Sequence, residues 1–183
     1  METLTATTSK TKWVLDPSHS ELAFKVKHLM ITNVKGEFKK FSAEIDGDDF
    51  AKSKIAVSID ASSIFTNDDN RDTHLKSADF FDVENHKEIT FEGTSFKKLD
   101  DENYQLRGIL TIKSISKEVI LHVEFGGTTK DPWGNEKLGF SINGKINRKD
   151  FGLNWNAALE TGGVLVSEEV KIQAEVQLVK KIS

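Results

Sequence analysis

Apolar and polar residues alternate with a period of two along most of the chain. Val119, Leu121, Val123 and Phe125 share one parity, and Glu118, His122 and Glu124 the other. Leu138, Phe140, Ile142, Gly144 and Ile146 alternate with Gly139, Ser141, Asn143, Lys145 and Asn147. Val170, Ile172, Ala174, Val176 and Leu178 alternate with Lys171, Gln173, Glu175 and Gln177. Successive side chains of a strand point to opposite faces, so each segment predicts a strand with one buried and one wet face. Leu22, Phe24, Val26, then Ile55, Val57, Ile59, then Ile89, Phe91, Gly93, and Tyr104 to Ile112 repeat the pattern. Phe38 and the following Phe41, Ala43, Ile45 break parity by one residue, which predicts a bulge between them. Trp13 to Asp16 adds a short first strand.

The total is about eight strands, and one polar face on each implies antiparallel pairing. Asp46-Gly47, Asp100 to Asn103, Gly126-Gly127 and Asp131 to Asn135 supply the turns between them. The expected fold is therefore all-β, an antiparallel barrel with a short helical crossover near residues 67–77. In that crossover Asn67 is expected to cap the helix, Asp68 and Asp69 to suit its N-terminus, and Asp72 to pair with Lys76. Followed by Phe80-Phe81, the segment reads either as a lid on one barrel end or as an ordinary connection. Residues 1–11 are expected to be a flexible lead-in and 12–183 a single domain.

Composition narrows the function. Among 183 residues, 37% are apolar and 30% charged, with a net charge of -4. Mean hydropathy is -0.40 and the pI about 5.8. That charge offers no basic field for a phosphate backbone, so nucleic acid is not an expected partner. The absence of cysteine excludes disulfides and thiolate chemistry. Met1 to Lys12 has no apolar core of the kind a secretory leader carries, and no stretch reaches the roughly 20 apolar residues of a membrane span. The expectation is a cytoplasmic protein, or a periplasmic one whose leader has been removed, with at most transient membrane contact.

An eight-stranded barrel either fills with side chains or holds one ligand. Gly93, Gly108, Gly144 and Ala174 occupy inward parity, where a filled barrel would place large aliphatics. Small inward residues beside Phe91, Leu110, Phe140 and Ile142 predict an apolar void that binds hydrophobic molecules. The competing reading assigns the glycines to bulges and corners where the sheet bends.

Longer motifs carry a resemblance. Trp13-x-x-Asp16-Pro17-x-His19-Ser20-x-x-x-Phe24 and Gly36-x-Phe38 are followed by Thr66-x-x-x-Asn70-Arg71-Asp72-x-His74-Leu75 and Asp79-Phe80-Phe81-Asp82-Val83. Gly108-x-Leu110-Thr111-Ile112 and Arg148-x-Asp150-Phe151-Gly152 come later. Together they resemble the YceI-like family of lipocalin-like polyisoprenoid-binding proteins, over nearly the whole chain. The resemblance implies a barrel holding an isoprenoid chain in an elongated tunnel, commonly within a homodimer. Members often carry a periplasmic leader, and Ser114 stands where the family often has Gly.

The candidate chemistry is sparse. None of His19, His28, His74, His86 and His122 forms a zinc-type pair, and Ser20 beside His19 lacks the surroundings of a nucleophile. No catalytic residue, metal ligand or cofactor is expected. Arg71 and His74 form the most function-like polar group. Either could meet a polar or phosphorylated head group, or Arg71 and an acid could fasten the helix to the barrel. The expected ligand-binding residues are Phe24, Val26, Phe38, Leu75, Phe80, Phe81, Phe91, Gly108, Leu110, Ile112, Phe140 and Ile142, with Arg71 and His74 at the mouth. The leading function is non-catalytic storage or transport of a long polyisoprenoid, such as a polyprenyl or isoprenoid-quinone lipid. Alternatives are a lipid hydrolase or isomerase at the barrel mouth, a carrier of fatty acids, or a protein whose use is its dimer surface.

Overall fold

The computed structural model describes residues 11–156 and 166–182. Its strands are β1 (Thr11–Leu15), β2 (Glu21–His28), β3 (Thr32–Phe38), β4 (Phe41–Asp46), β5 (Lys54–Asp60) and β6 (Ile64–Phe65), followed by helix α1 (Asp69–Lys76). After the helix come β7 (Glu88–Lys98), β8 (Asn103–Ile112), β9 (Ile115–Lys130), β10 (Glu136–Asn147) and β11 (Val166–Ile182). The lead-in expected over residues 1–11 falls outside the described residues except for Thr11, which already belongs to β1.

The order β1-β4-β5-β7-β8-β9-β10-β11 closes on itself because β11 also pairs with β1, giving an antiparallel barrel of eight strands. Closure removes both edges of this eight-strand ring, and with them the row of unpaired backbone groups that an open sheet exposes. The remaining strands extend three of these staves. β1 and β2 both pair with β11, separated by a turn at Pro17–His19. β3 and β4 are separated by Lys39 and Lys40, where the parity break predicted a bulge. β5 and β6 are separated by a turn at Ala61–Ser63. Inward parity holds where it was expected: Leu106, Gly108, Leu110 and Ile112 are buried on β8, and Val119 and Val123 on β9.

One end of the barrel is built differently from the other. β6 pairs with β3 alone, while β7 begins only at Glu88, opposite Asp60 on β5. Helix α1 and the segment up to β7 lie in the gap. Asp68, rather than Asn67, caps α1 by accepting a hydrogen bond from the Arg71 N–H at 3.0 Å. Asn67 instead takes the left-handed conformation (φ 62°) that turns the chain into the helix. Asp72 does not pair with Lys76; it points inward and accepts from the N–H and the hydroxyl of Thr66 at 2.9 and 2.5 Å. Burying that carboxylate requires partners of this kind, and the strand end before the helix provides them.

The inward glycines do not leave the space that the sequence implied, whereas Ala174 does line an apolar cavity of the barrel. A Cβ on Gly108 would lie 2.4 Å from Phe91 Cζ and 2.5 Å from the Glu92 carbonyl oxygen, so the Phe91 ring already occupies the position. On Gly144 it would meet Leu121 Cδ2 at 2.3 Å. Gly93 sits at a register shift between β7 and β8. The glycines receive cross-strand side chains or accommodate irregularity in the sheet, and the cavity has another origin.

Candidate functional site

Two chambers open in the interior among the described residues. The upper one, of about 520 Å³, lies at the α1 end, and the lower, of about 170 Å³, occupies the body of the barrel. They share Leu22, Ile59, Leu110 and Ile172 in their walls, so a waist of four aliphatic side chains stands between them. The larger volume is within the usual range of roughly 300–1,000 Å³ for small-molecule pockets.

Every side chain lining the lower chamber is apolar. Phe91, Phe140 and Ile142 are among them, as their inward parity predicted, and Leu110 is at the waist. Phe50 closes the far end. Its ring meets Trp13 edge-on at 6.3 Å and Phe96 at 6.0 Å, and lies 5.9 Å from Phe140. Nothing in the sequence pattern marked Phe50, which comes from the Asp-rich turn between β4 and β5.

The upper chamber is lined by Phe24, Val26, Phe38, Leu75, Phe80 and Phe81, with Ile112 and Leu110 below them. Phe38 packs against Phe24 at 5.7 Å and edge-on against Phe81 at 5.9 Å, joining β2, β3 and the post-helix segment into one wall. Gly108 borders neither chamber, because the Phe91 ring covers it. Val170 and Ile172 also face the upper chamber and could have been read from their parity. Leu153 and Trp155 face it too, from an irregular stretch whose sequence gave no such signal.

Among the described residues, polar groups gather in the upper chamber and not in the lower. Lys27, His28, Asp68, Asn70, Arg71, His74 and Arg148 all border it. Arg71 donates through Nε to the Thr66 hydroxyl at 2.7 Å and through Nη2 to the Thr66 carbonyl at 2.6 Å. Thr66 thus stands between Arg71 and the buried Asp72, and the direct acid–base pair expected to fasten the helix is replaced by this three-residue relay. A guanidinium has five N–H donors, and two are spent here. His74 Nε2 lies 2.9 Å from Asp79 Oδ2, and its ring is edge-on to Phe80 and Trp155 at 5.2 and 4.8 Å.

Arg148 is only 3% exposed. It donates to the carbonyls of Ser167, Leu153, Trp155 and Val166 at 2.8, 2.6, 2.8 and 3.3 Å. Burial pushes its pKa below the usual range for arginine, with the carboxylate of Glu168 opposing that shift. The group ties the chain following β10 to the start of β11. Its charge also adds to a chamber rim where cationic side chains outnumber acidic ones.

The Asp16-Pro17-x-His19 motif lies away from this rim. Asp16 Oδ2 is 2.9 Å from His19 Nδ1 and 3.2 Å from Lys137 Nζ, and Lys137 also reaches Asp131 at 3.9 Å. Hydrogen bonds from His19, Ser18 and Lys137 hold the Asp16 carboxyl far below the ordinary carboxylate range. The motif pins the turn between β1 and β2 to β10. Among the described residues no group of three or more His, Asp or Glu is placed to share a metal ion. Nor is any helix among them long and apolar enough to cross a membrane.

A closed eight-stranded barrel, a helix filling one end and an apolar interior coincide with a sequence match to YceI-like domains over residues 13–178. The chain belongs to the YceI-like family. It is 44% identical over 170 residues to a UPF0312 protein of Staphylococcus aureus (strain bovine RF122), covering 91% of this chain and 96% of that protein. The crystal structure of the Campylobacter jejuni YCEI protein superposes with a TM-score of 0.73 at 39% identity, covering 86% of this chain and 91% of the other. A polyisoprenoid-binding domain from Saccharophagus degradans has a TM-score of 0.68 at 15% identity, covering 92% and 98%. At that identity the likeness is one of fold, and this YceI-like chain shares the fold with a domain described as binding polyisoprenoid.

Proposed function

We propose that the protein binds a long polyisoprenoid, with the tail threading the waist into the lower chamber and the head group at Arg71 and His74, and that it stores or carries this lipid without altering it. The observation that carries the reading is the division of one interior into a wholly apolar lower chamber and an upper chamber rimmed by cations. A molecule matching both has a hydrocarbon tail and one polar, preferably anionic, end. The polyisoprenoid binding described for the domain of the same fold supports the prenyl assignment. Among the described residues the lower chamber is lined by hydrocarbon and aromatic side chains alone, which suit holding a tail.

Energetics favour a long chain. Each buried methylene contributes about 0.8 kcal/mol, so one five-carbon isoprene unit contributes about 4 kcal/mol at most. Association must first offset roughly 4–15 kcal/mol of lost freedom. One or two units bind weakly, and several bind tightly enough to survive purification. The family resemblance also carries a homodimer, which light scattering of the purified protein measures.

Native mass spectrometry of gently purified protein, with organic extraction of any adduct, tests the proposal. The expected result is an adduct whose extract contains a prenyl lipid. An empty barrel that also ignores added prenyl chains in a fluorescence competition assay overturns the reading. A fatty acid in the extract would keep the carrier and replace its cargo.

A further inference from the structure

Three apolar residues stand exposed at the hairpin joining β2 and β3, beside the upper chamber. Leu29, Met30 and Ile31 are 38%, 50% and 79% exposed. Leu29 and Met30 both take left-handed backbone conformations, with φ of 54° and 62°, and the Ile31 N–H closes the turn on the His28 carbonyl at 3.2 Å. Two consecutive left-handed positions favour Asn and Gly, whereas bulky side chains fit them poorly. The turn between β8 and β9 has the same backbone, with φ of 53° and 64°, and carries the polar pair Lys113 and Ser114. Neither core packing nor turn geometry therefore accounts for leucine and methionine at the β2–β3 tip.

The charge around the tip is equally distinctive. From Lys25 to Gly36 the hairpin holds three lysines and one histidine and no acidic residue, in a chain whose net charge is -4. Among the described residues Lys25 and Lys27 have no ion-pair partner, while Lys35 reaches Glu21 at 3.8 Å. On the adjoining strand, Glu168 and Glu169 are engaged by Lys149 at 2.8 Å and Lys145 at 4.0 Å. Asp68 lies across the chamber on the α1 side. Lys27 and His28 border the chamber themselves, so the tip is continuous with its rim.

We infer that this hairpin tip docks the barrel on an anionic phospholipid bilayer, with Leu29, Met30 and Ile31 entering the interface and Lys25, Lys27 and Lys35 facing the lipid phosphates. An apolar tip flanked by lysines is the combination that binds such surfaces, and each lysine adds to the attraction. The inference rests on the carrier reading for its purpose: docking sets the chamber rim against the membrane, where a prenyl chain can pass without crossing water.

Sedimentation with sucrose-loaded vesicles tests it. The vesicles are phosphatidylcholine alone or phosphatidylcholine with about 30% phosphatidylglycerol, an anionic lipid. The protein is expected to bind the anionic vesicles roughly tenfold more tightly than the neutral ones. The double variant Met30→Asp, Ile31→Asp is expected to fall to the neutral level, while binding a fluorescent prenyl probe as the parent does. Aspartate tolerates the left-handed conformation at position 30 better than methionine, so the variant should fold. Failure of the parent to prefer anionic vesicles, or undiminished binding by the variant, overturns the inference. A variant that changes oligomeric mass instead also overturns it, and assigns the tip to a contact between copies. Anionic vesicle binding without prenyl-probe binding would retain the docking surface and remove the carrier reading.

Discussion

The two chambers share one barrel and differ in what is added to their apolar packing. The lower is held open by large side chains that lean on glycines across the sheet: Phe91 over Gly108 and Leu121 over Gly144. Its shape is fixed by close packing, and it has no polar group to position. The upper has the Phe24, Phe38 and Phe81 wall and adds hydrogen bonds, through Arg148 to four carbonyls and through Thr66 between Arg71 and Asp72. There the regular sheet gives out, and irregular backbone must find donors before it can be buried. Apolar packing sets both walls, with the Phe24 ring over Gly36 in the upper as Phe91 lies over Gly108 in the lower; polar fasteners are added at the upper one and leave cations at its rim.

The largest expected effect is on the upper fasteners. Arg148→Ala removes the donors of four carbonyls at once and is expected to cost about 4 kcal/mol, measured by urea denaturation. A cost below about 1 kcal/mol would mean that packing, and not this guanidinium, holds the upper wall. Gly108→Ala probes the lower wall. Its added methyl group meets the backbone oxygen of Glu92 as well as the Phe91 ring, and backbone cannot move aside as a side chain can. The expected loss is about 2 kcal/mol with no new ligand contact, and a neutral result would restore the reading of Gly108 as open space.

Arg71→Met separates head-group recognition from tail burial. Affinity for a prenyl phosphate is expected to fall tenfold or more, about 1.5 kcal/mol, while affinity for the matching prenyl alcohol changes little. Equal losses for both ligands would assign Arg71 to the helix fastening alone. Competition fluorescence measures both.

The smallest effect concerns acid, at the Asp16 turn. The folded protein holds the Asp16 carboxyl below its unfolded value of 3.8. At acidic pH the unfolded chain therefore binds a proton that the folded chain does not. The resulting stability is fully present above that value and is lost as the pH falls through and below it. Asp16→Asn is expected to flatten this part of the stability profile between about pH 5 and 2. An unchanged slope would detach the turn from the network with His19 and Lys137.

Much of this was legible in the chain. Period-two alternation located β8 to β11 and their inward faces, and the parity break between Phe38 and Phe41 marked the interruption at Lys39 and Lys40. The segment without strand pattern proved helical, although its cap is Asp68 and Asp72 bonds to Thr66. Of the expected ligand-binding residues, eight face the upper chamber, Phe91, Phe140 and Ile142 face the lower, and Gly108 faces neither. Phe50 and Trp155 lie in irregular stretches with no periodicity to read, and only the folded chain brings them to the cavity walls.

Alternation is a local property, since each residue's face is set by the backbone of its own strand. The sequence by itself therefore determined the strands, their inward faces and the position of the helical insertion, while closure into a barrel came from the pairing of β1 with the distant β11. What stands opposite a given inward residue depends on the register of a strand distant in the chain. That is why an inward glycine could be read as a void when a phenylalanine fills it. The tertiary structure alone decided that the larger open space lies where β6 stops and α1 takes its place, and that Leu22, Ile59, Leu110 and Ile172 stand between it and the smaller one.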